Sequence, residues 1–141
     1  MEWLFEDDGI DWLELSELYR IAPLGNKPPE RLKHTYSKSM HKCFILDDGR
    51  IIGAGRVVGD GLDTAYLCDV VVHPERQGEG LGKALVLKLK ELSAGHRKII
   101  LYANPGTESF YKKRGFLTMK TAFAIFMDRE RAIERGLVER A

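Results

Sequence analysis

Apolar residues recur along this chain at two different spacings, which separate helical segments from strand segments. Helical spacing predicts a first helix over 11–22, and a pair of prolines suited to a first helical turn begins a second helix that runs to about Met40. The apolar face of the first helix consists of Trp12, Leu15, Leu18, Tyr19 and Ala22. Helical patterns return over 80–93, 107–114 and 128–135, and a glycine follows each of them closely.

Shorter apolar and β-branched runs predict strands between these helices. Asp47-Asp48-Gly49 is a hairpin-turn signal between two such runs, and a third run completes an antiparallel meander. The full set of predicted strands is 3–6, 42–46, 50–58, 65–72, 98–103 and one or two strands within 116–127. Helices, a meander and then alternating strands and helices imply a mixed α/β (α+β) sheet with helices on both faces.

Composition narrows the class of protein. A length of 141 residues predicts a single domain over 1–141, and 22 basic against 21 acidic residues gives no sign of a nucleic-acid binder. The acidic N-terminus lacks the basic start of a signal peptide, and no apolar run is long enough to span a membrane. Cys43 and Cys68 lie in strand-like sequence and suggest reduced core thiols of a cytoplasmic protein. No Cys/His cluster has metal-ligand spacing, so no metal is expected.

The most specific feature is a glycine-rich turn that connects the strand ending at Val72 to the helix over 80–93. It reads Arg76-Gln77-Gly78-Glu79-Gly80-Leu81-Gly82-Lys83. Glycines let a backbone approach a ligand closely, and the free N–H groups of a helix N-terminus favour a phosphate. Ala84 stands where a P-loop needs a hydroxyl, and the third glycine comes one residue too early for a Rossmann fingerprint. The turn therefore predicts a pyrophosphate site of another kind, although such a turn can also be purely structural.

Two motifs in this order resemble the GNAT superfamily of acetyl-CoA-dependent N-acetyltransferases. The first is the strand, loop and helix from Asp69 to Leu92, and the second is Asn104-x6-Tyr111-x3-Gly115-Phe116. The residue sequence of the first motif is most similar to that of bacterial members and of plastid-type arylalkylamine (serotonin) acetyltransferases. The resemblance implies a mixed, mostly antiparallel central sheet of six to seven strands with helices on both faces.

The resemblance also assigns roles to residues of this chain. Backbone groups of Val70, Val71 and Val72 would pair with the pantetheine arm of acetyl-CoA in the manner of an added strand. Asn104 matches an asparagine beside that arm, and Tyr111 matches the tyrosine that protonates the departing thiolate. The pyrophosphate would be held by the amides of the loop, with cationic support from its two ends; the loop residues are Arg76, Gln77, Gly78, Glu79, Gly80, Leu81, Gly82 and Lys83.

The chemistry of acetyl transfer needs a neutral amine, a polarised carbonyl and a leaving thiolate. A primary amine is mostly protonated at pH 7, so a base must take its proton. Asp69 lies in an otherwise apolar strand, where burial would make a carboxylate a better proton acceptor; it could equally be a structural carboxylate satisfied by an arginine. Tyr66 stands where histone-type members of the family carry a glutamate. Cys68 is better explained as a core thiol than as a nucleophile.

These patterns predict an N-acetyltransferase that moves an acetyl group to a primary amine, of a small molecule, by direct transfer in a ternary complex. An N-terminal or lysine amine of a protein is the alternative acceptor, and a non-catalytic CoA-binding regulatory module is the alternative class. The predicted strand over 121–127 could form the edge of a homodimer.

Overall fold

The computed structural model describes residues 1–141, which divide into two compact units, residues 1–101 and 102–141. The elements of the first unit are β1 (Glu2–Leu4), α1 (Trp12–Ile21), α2 (Pro29–Ser37), β2 (His41–Asp47), β3 (Arg50–Gly59), β4 (Thr64–Val72), a 3₁₀ turn (Pro74–Arg76), α3 (Leu81–Leu92) and β5 (Lys98–Ile100). The second unit has two short helices, α4 (Glu108–Lys112) and α5 (Arg129–Glu134). No helix has the length and apolar character that a membrane span requires. The single domain over 1–141 stays a prediction.

The five strands form one sheet in the order β1-β2-β3-β4-β5. The first four run antiparallel to their neighbours, and β5 is parallel to β4. The predicted mixed, mostly antiparallel sheet is therefore confirmed, because the hairpin turns after β2 and β3 reverse the chain while α3 returns it to the parallel direction.

The predicted number of six to seven strands is wrong, because 116–127 forms no strand. Leu117, Phe123, Ile125 and Met127 are at least 90% exposed there, so the apolar pattern has no packing surface beneath it. Strand propensity describes how well a side chain fits a paired, half-buried surface, and it does not supply that pairing. The homodimer edge over 121–127 stays a prediction.

Helices cover both faces of the sheet in the first unit. On one face α1 and α2 pack Leu15, Leu18 and Tyr36 against Phe44 and Ala54 of β2 and β3. Asp11 caps α1 by accepting a hydrogen bond from the Glu14 N–H, at 3.1 Å. On the other face α3 buries an apolar stripe of Leu81, Leu85, Val86 and Leu89.

Glycines in β3 allow α3 to lie close to the sheet. A Cβ added at Gly55 would meet the Leu89 Cδ1 at 2.9 Å, and one added at Gly53 would meet the Leu85 Cδ1 at 3.2 Å. Leu85 and Leu89 are fully buried, so neither side chain has free volume into which it could move. Gly55 therefore brings the helix that begins at the glycine loop against the strand that faces β4.

A methyl group at Gly55 tests this close packing. We expect Gly55→Ala to lower the free energy of unfolding by about 1–3 kcal/mol, as overpacked cores do. Urea denaturation measures the change. The same substitution in a Leu89→Ala background should cost clearly less, since the shortened side chain removes the clash. An equal cost in both backgrounds would show that Leu89 is not what the methyl group meets.

Candidate functional site

β4 is interrupted by a bulge at Asp69 and Val70. Ala54 of β3 pairs with Val71 and Arg56 pairs with Cys68, so that Gly55 alone faces two residues of β4. Asp69 has a φ of 56°, in the left-handed region that aspartate tolerates better than most residues do. The bulge therefore turns the backbone of Asp69 and Val70 out of the regular ladder.

The other edge of β4 is open beside this bulge. Pairing with β5 extends over three residues and ends where Tyr66 faces Ile100. From Leu67 to Val72, β4 consequently has no strand neighbour on that side. The predicted residues Val70, Val71 and Val72 lie in this stretch, and an open strand edge is able to accept an extended ligand as an added strand.

Beneath the bulge, the Asp69 side chain lies among cations. The Asp69 Oδ2 accepts a hydrogen bond from the Arg56 Nε at 2.8 Å, and the Lys27 Nζ lies 3.5 Å from its Oδ1. The Arg56 guanidinium also donates to the Ser39 Oγ at 3.2 Å. The side chain of Asp69 is 23% exposed, so the apolar strand does not enclose it completely. The contact with Arg56 matches the interpretation of Asp69 as a structural carboxylate satisfied by an arginine. The role of Asp69 as proton acceptor stays a prediction.

Two tyrosines next to the bulge make hydroxyl hydrogen bonds that the sequence patterns do not predict. The Tyr19 hydroxyl donates to the Asp69 carbonyl oxygen at 2.5 Å, and the Tyr36 hydroxyl lies 2.6 Å from the Tyr19 hydroxyl. Both rings are fully buried. Tyr19 fits the apolar face of α1 by its spacing, and only the pairing of residues fifty positions apart reveals what its hydroxyl does.

The glycine loop forms an open turn at the start of α3. Gly78 and Gly80 have φ values of 87° and 82°, a conformation that glycine adopts without strain. Gly80 is the N-cap of α3, and no side chain caps the N–H groups of the first turn. A Cβ at either glycine would enter empty space. Leu81 is buried and anchors the helix start to the core.

Charged side chains brace this loop. Arg76 bridges the Asp47 Oδ2 at 2.8 Å and the Glu79 carboxylate at 2.9 Å, and these hydrogen bonds raise the pKa of its guanidinium above the ordinary value. Arg76 therefore links the loop to the end of β2. The exposed Lys83 lies in the first turn of α3, and the Gln77 amide is 3.5 Å from the Val72 carbonyl oxygen.

The remaining predicted residues belong to the second unit. Asn104 is exposed, and its carbonyl oxygen accepts a hydrogen bond from the Thr107 hydroxyl at 2.7 Å. Tyr111 is half-buried on α4, with its ring edge-on to Phe110 and Phe116 at centroid distances of 5.0 Å and 6.0 Å. Burial raises the pKa of the Tyr111 hydroxyl, so that the phenol keeps its proton at neutral pH.

Neither cysteine has the environment of a nucleophile. Burial raises the pKa of the Cys68 thiol to about 11 and that of the Cys43 thiol to about 12. A thiol reacts through its thiolate, which both residues therefore lack at neutral pH. No group of three or more His, Cys, Asp or Glu side chains is placed to hold a metal ion.

Comparison with known proteins agrees with this geometry. The model of the acetyltransferase (GNAT) family matches residues 9–116. The chain belongs to the GNAT family of acetyltransferases. It is 34% identical over 113 residues to an uncharacterized N-acetyltransferase of Prochlorococcus marinus, covering 76% of this chain and 63% of that protein. It is also 34% identical over 116 residues to a chloroplastic serotonin N-acetyltransferase 2 of Oryza sativa, covering 77% of this chain and 57% of that protein.

A solved structure shows the same GNAT fold. A probable acetyltransferase of meticillin-resistant Staphylococcus aureus superposes with a TM-score of 0.77 at 20% identity, covering 90% of this chain and 99% of that one. The chain thus spans about three fifths of the length of the two sequence relatives and nearly all of this structural neighbour. The matched region contains the bulge, the open edge of β4 and the glycine loop.

A bulky residue in the glycine loop tests whether the loop holds a pyrophosphate. We expect Gly80→Trp to abolish CoA binding in calorimetric titration, because the indole fills the space in front of the α3 N-terminus. Gly95→Trp is the matched control: Gly95 follows the other end of α3, has a φ of 97° and also faces empty space. Both glycines have a positive φ, so tryptophan strains the backbone in either variant. Undiminished CoA binding by Gly80→Trp would remove the loop from the site.

Proposed function

We propose that this chain transfers an acetyl group from acetyl-CoA to the primary amine of a small molecule, by direct transfer in a ternary complex. The observation that carries the proposal is the continuous run from the open edge of β4 into an uncapped helix start. An extended pantetheine arm needs unpaired strand groups, and a pyrophosphate needs unpaired N–H groups. This chain offers an open strand edge along 70–72 and the N–H groups of a helix start within 78–83, and one short turn separates them.

The fit to acetyl-CoA follows from the empty space at the glycine loop. Gly78 and Gly80 leave room in which a Cβ would otherwise stand, so phosphate oxygens can approach the amides. Lys83 is exposed and free to lie near a phosphate. Arg76 is held by Asp47 and Glu79, and in this proposal it orients the loop while adding positive charge beside the anion. Asn104 is proposed to lie beside the pantetheine arm.

The reaction places charge at positions that this chain is able to stabilise. The amine nitrogen attacks the thioester carbonyl carbon, the C–S bond breaks, and the electron pair of that bond goes to sulfur. The Val70 N–H is proposed to stabilise the charge that grows on the carbonyl oxygen. Asp69 is proposed to take the proton lost by the amine, directly or through water. Tyr111 is proposed to give its hydroxyl proton to the sulfur, which its raised pKa permits.

A small-molecule acceptor is favoured by one comparison. The rice relative is named for serotonin, an arylalkylamine. The loop between α1 and α2 also lies against the bulge, where Lys27 reaches Asp69. This segment is proposed as the wall that encloses a small amine. A protein amine remains the alternative acceptor, and the cytoplasmic location stays a prediction.

Thiol release from acetyl-CoA tests the function directly. We expect release that depends on an added amine, and we expect arylalkylamines to be better acceptors than short peptides. Aminoglycosides, polyamines and amino acids complete the panel, and hydrolysis without amine is the baseline. Faster release with N-terminal or lysine peptides would move the acceptor to proteins. Tight CoA binding without release on any acceptor would leave a CoA-binding module.

Removing the Tyr111 hydroxyl tests its role as the acid. We expect Tyr111→Phe to lower kcat by about a hundredfold, as the loss of a general acid does, while the Kd for CoA stays unchanged. Tyr102→Phe is the control, since Tyr102 lies in the same unit and phenylalanine keeps the ring contact with Phe126. Equal kcat values for the two variants would assign Tyr111 to packing.

A further inference from the structure

A relay of two buried hydroxyls connects both helices of one face to the bulge in β4. Tyr19 belongs to α1 and Tyr36 to α2. The Tyr19 hydroxyl has a single proton and donates it to the Asp69 carbonyl at 2.5 Å, so the Tyr36 hydroxyl is the donor of the 2.6 Å bond to Tyr19. The relay therefore ends on one backbone carbonyl of the candidate site.

That carbonyl shares a peptide unit with the Val70 N–H. The peptide unit is planar and trans, so its C=O and N–H point in opposite directions. A hydroxyl that fixes where the Asp69 carbonyl points also fixes where the Val70 N–H points, on the side away from Tyr19. Neither Asp69 nor Val70 has a register partner in β3 or β5. The regular register of the ladder skips this peptide plane, and the Tyr19 hydroxyl contacts its carbonyl oxygen.

We propose that Tyr19 is a positioning residue for acetyl transfer, which aims the Val70 N–H at the thioester carbonyl oxygen through its hydrogen bond to the Asp69 carbonyl. Donation to the carbonyl also polarises the peptide unit, which strengthens the N–H as a donor. This inference rests on the proposed function for its effect on rate, but the orientation of the peptide unit is a property of the chain alone.

The surroundings of the relay suit a fixed donor. Burial raises the pKa of both hydroxyls, so neither ionises in the physiological range. Both tyrosines are fully buried, and a hydrogen bond shielded from water is stronger than an exposed one. A positive φ is strained for a residue other than glycine, and Asp69 has a φ of 56°. The hydrogen bond from Tyr19 helps to hold Asp69 in this conformation.

Two phenylalanine variants separate positioning from simple packing. Tyr19→Phe removes the bond to Asp69, whereas Tyr36→Phe removes a hydroxyl of equal burial and leaves that bond in place. We expect kcat to fall about tenfold in Tyr19→Phe, the loss of one hydrogen-bond equivalent in the transition state, and less than about threefold in Tyr36→Phe. The KM for acetyl-CoA should stay constant in both.

The amide resonance of Val70 gives a readout that does not need turnover. In protein labelled with ¹⁵N-valine, we expect the free Tyr19→Phe variant to move the Val70 signal away from its wild-type position, and Tyr36→Phe to leave it nearly in place. A 3-fluorotyrosine at position 19, a stronger donor of almost the same size, should move the signal in the opposite direction. The 3-fluorotyrosine variant tests the same hydrogen bond if Tyr19→Phe does not fold.

The outcomes distinguish the two proposals. An unmoved Val70 signal in Tyr19→Phe, or an equal loss of kcat in both phenylalanine variants, overturns the positioning role of Tyr19. Absence of turnover in the wild-type chain overturns the proposed function instead, and the Val70 signal then decides the orientation of the peptide unit by itself.

Discussion

The mismatch of one residue between β3 and β4 is the constraint on which the candidate site depends. Gly55 faces both Asp69 and Val70, so the two residues leave the ladder. The backbone groups of a regular strand alternate between its two edges, and the bulge breaks this alternation at Asp69 and Val70. The bulge is sustained from two directions. The Tyr19 hydroxyl holds the carbonyl of Asp69, and the Arg56 guanidinium holds its carboxylate. Gly55 lets Leu89 of α3 approach the same point from the opposite face.

The glycine loop depends on the same local arrangement. α3 follows its N-cap Gly80 shortly after β4 and the 3₁₀ turn, and its buried Leu85 and Leu89 pack on Gly53 and Gly55 of β3. The helix N-terminus is therefore fixed relative to the open edge of β4. A ligand with an extended arm and a charged end gains from both features together, because the chain has already ordered its part of the contact. In the proposed function, strand, loop and helix act as one binding unit for this reason.

Much of this arrangement could be predicted from the sequence, and the failures have particular causes. The helices and the strands of the meander lie within a few residues of their predicted bounds, since each has a clear period and a turn signal. Asp69 stood out as a polar residue in an apolar run, but a bulge depends on the partner strand and leaves no local pattern. Tyr19 fitted an apolar helix face, so its hydroxyl bond to residue 69 was invisible. The segment 116–127 has strand propensity but no partner.

The most direct test of the account is the response of the Val70 amide to ligand. Protein labelled with ¹⁵N-valine would be titrated with acetyl-CoA and, separately, with CoA, which lacks the thioester carbonyl. The account predicts that acetyl-CoA shifts the Val70 resonance well beyond the shift that CoA causes, while Val71 and Val72 respond to both ligands alike. Equal shifts of Val70 with the two ligands, or none with either, would contradict the claim that the bulge presents this N–H to the reacting carbonyl.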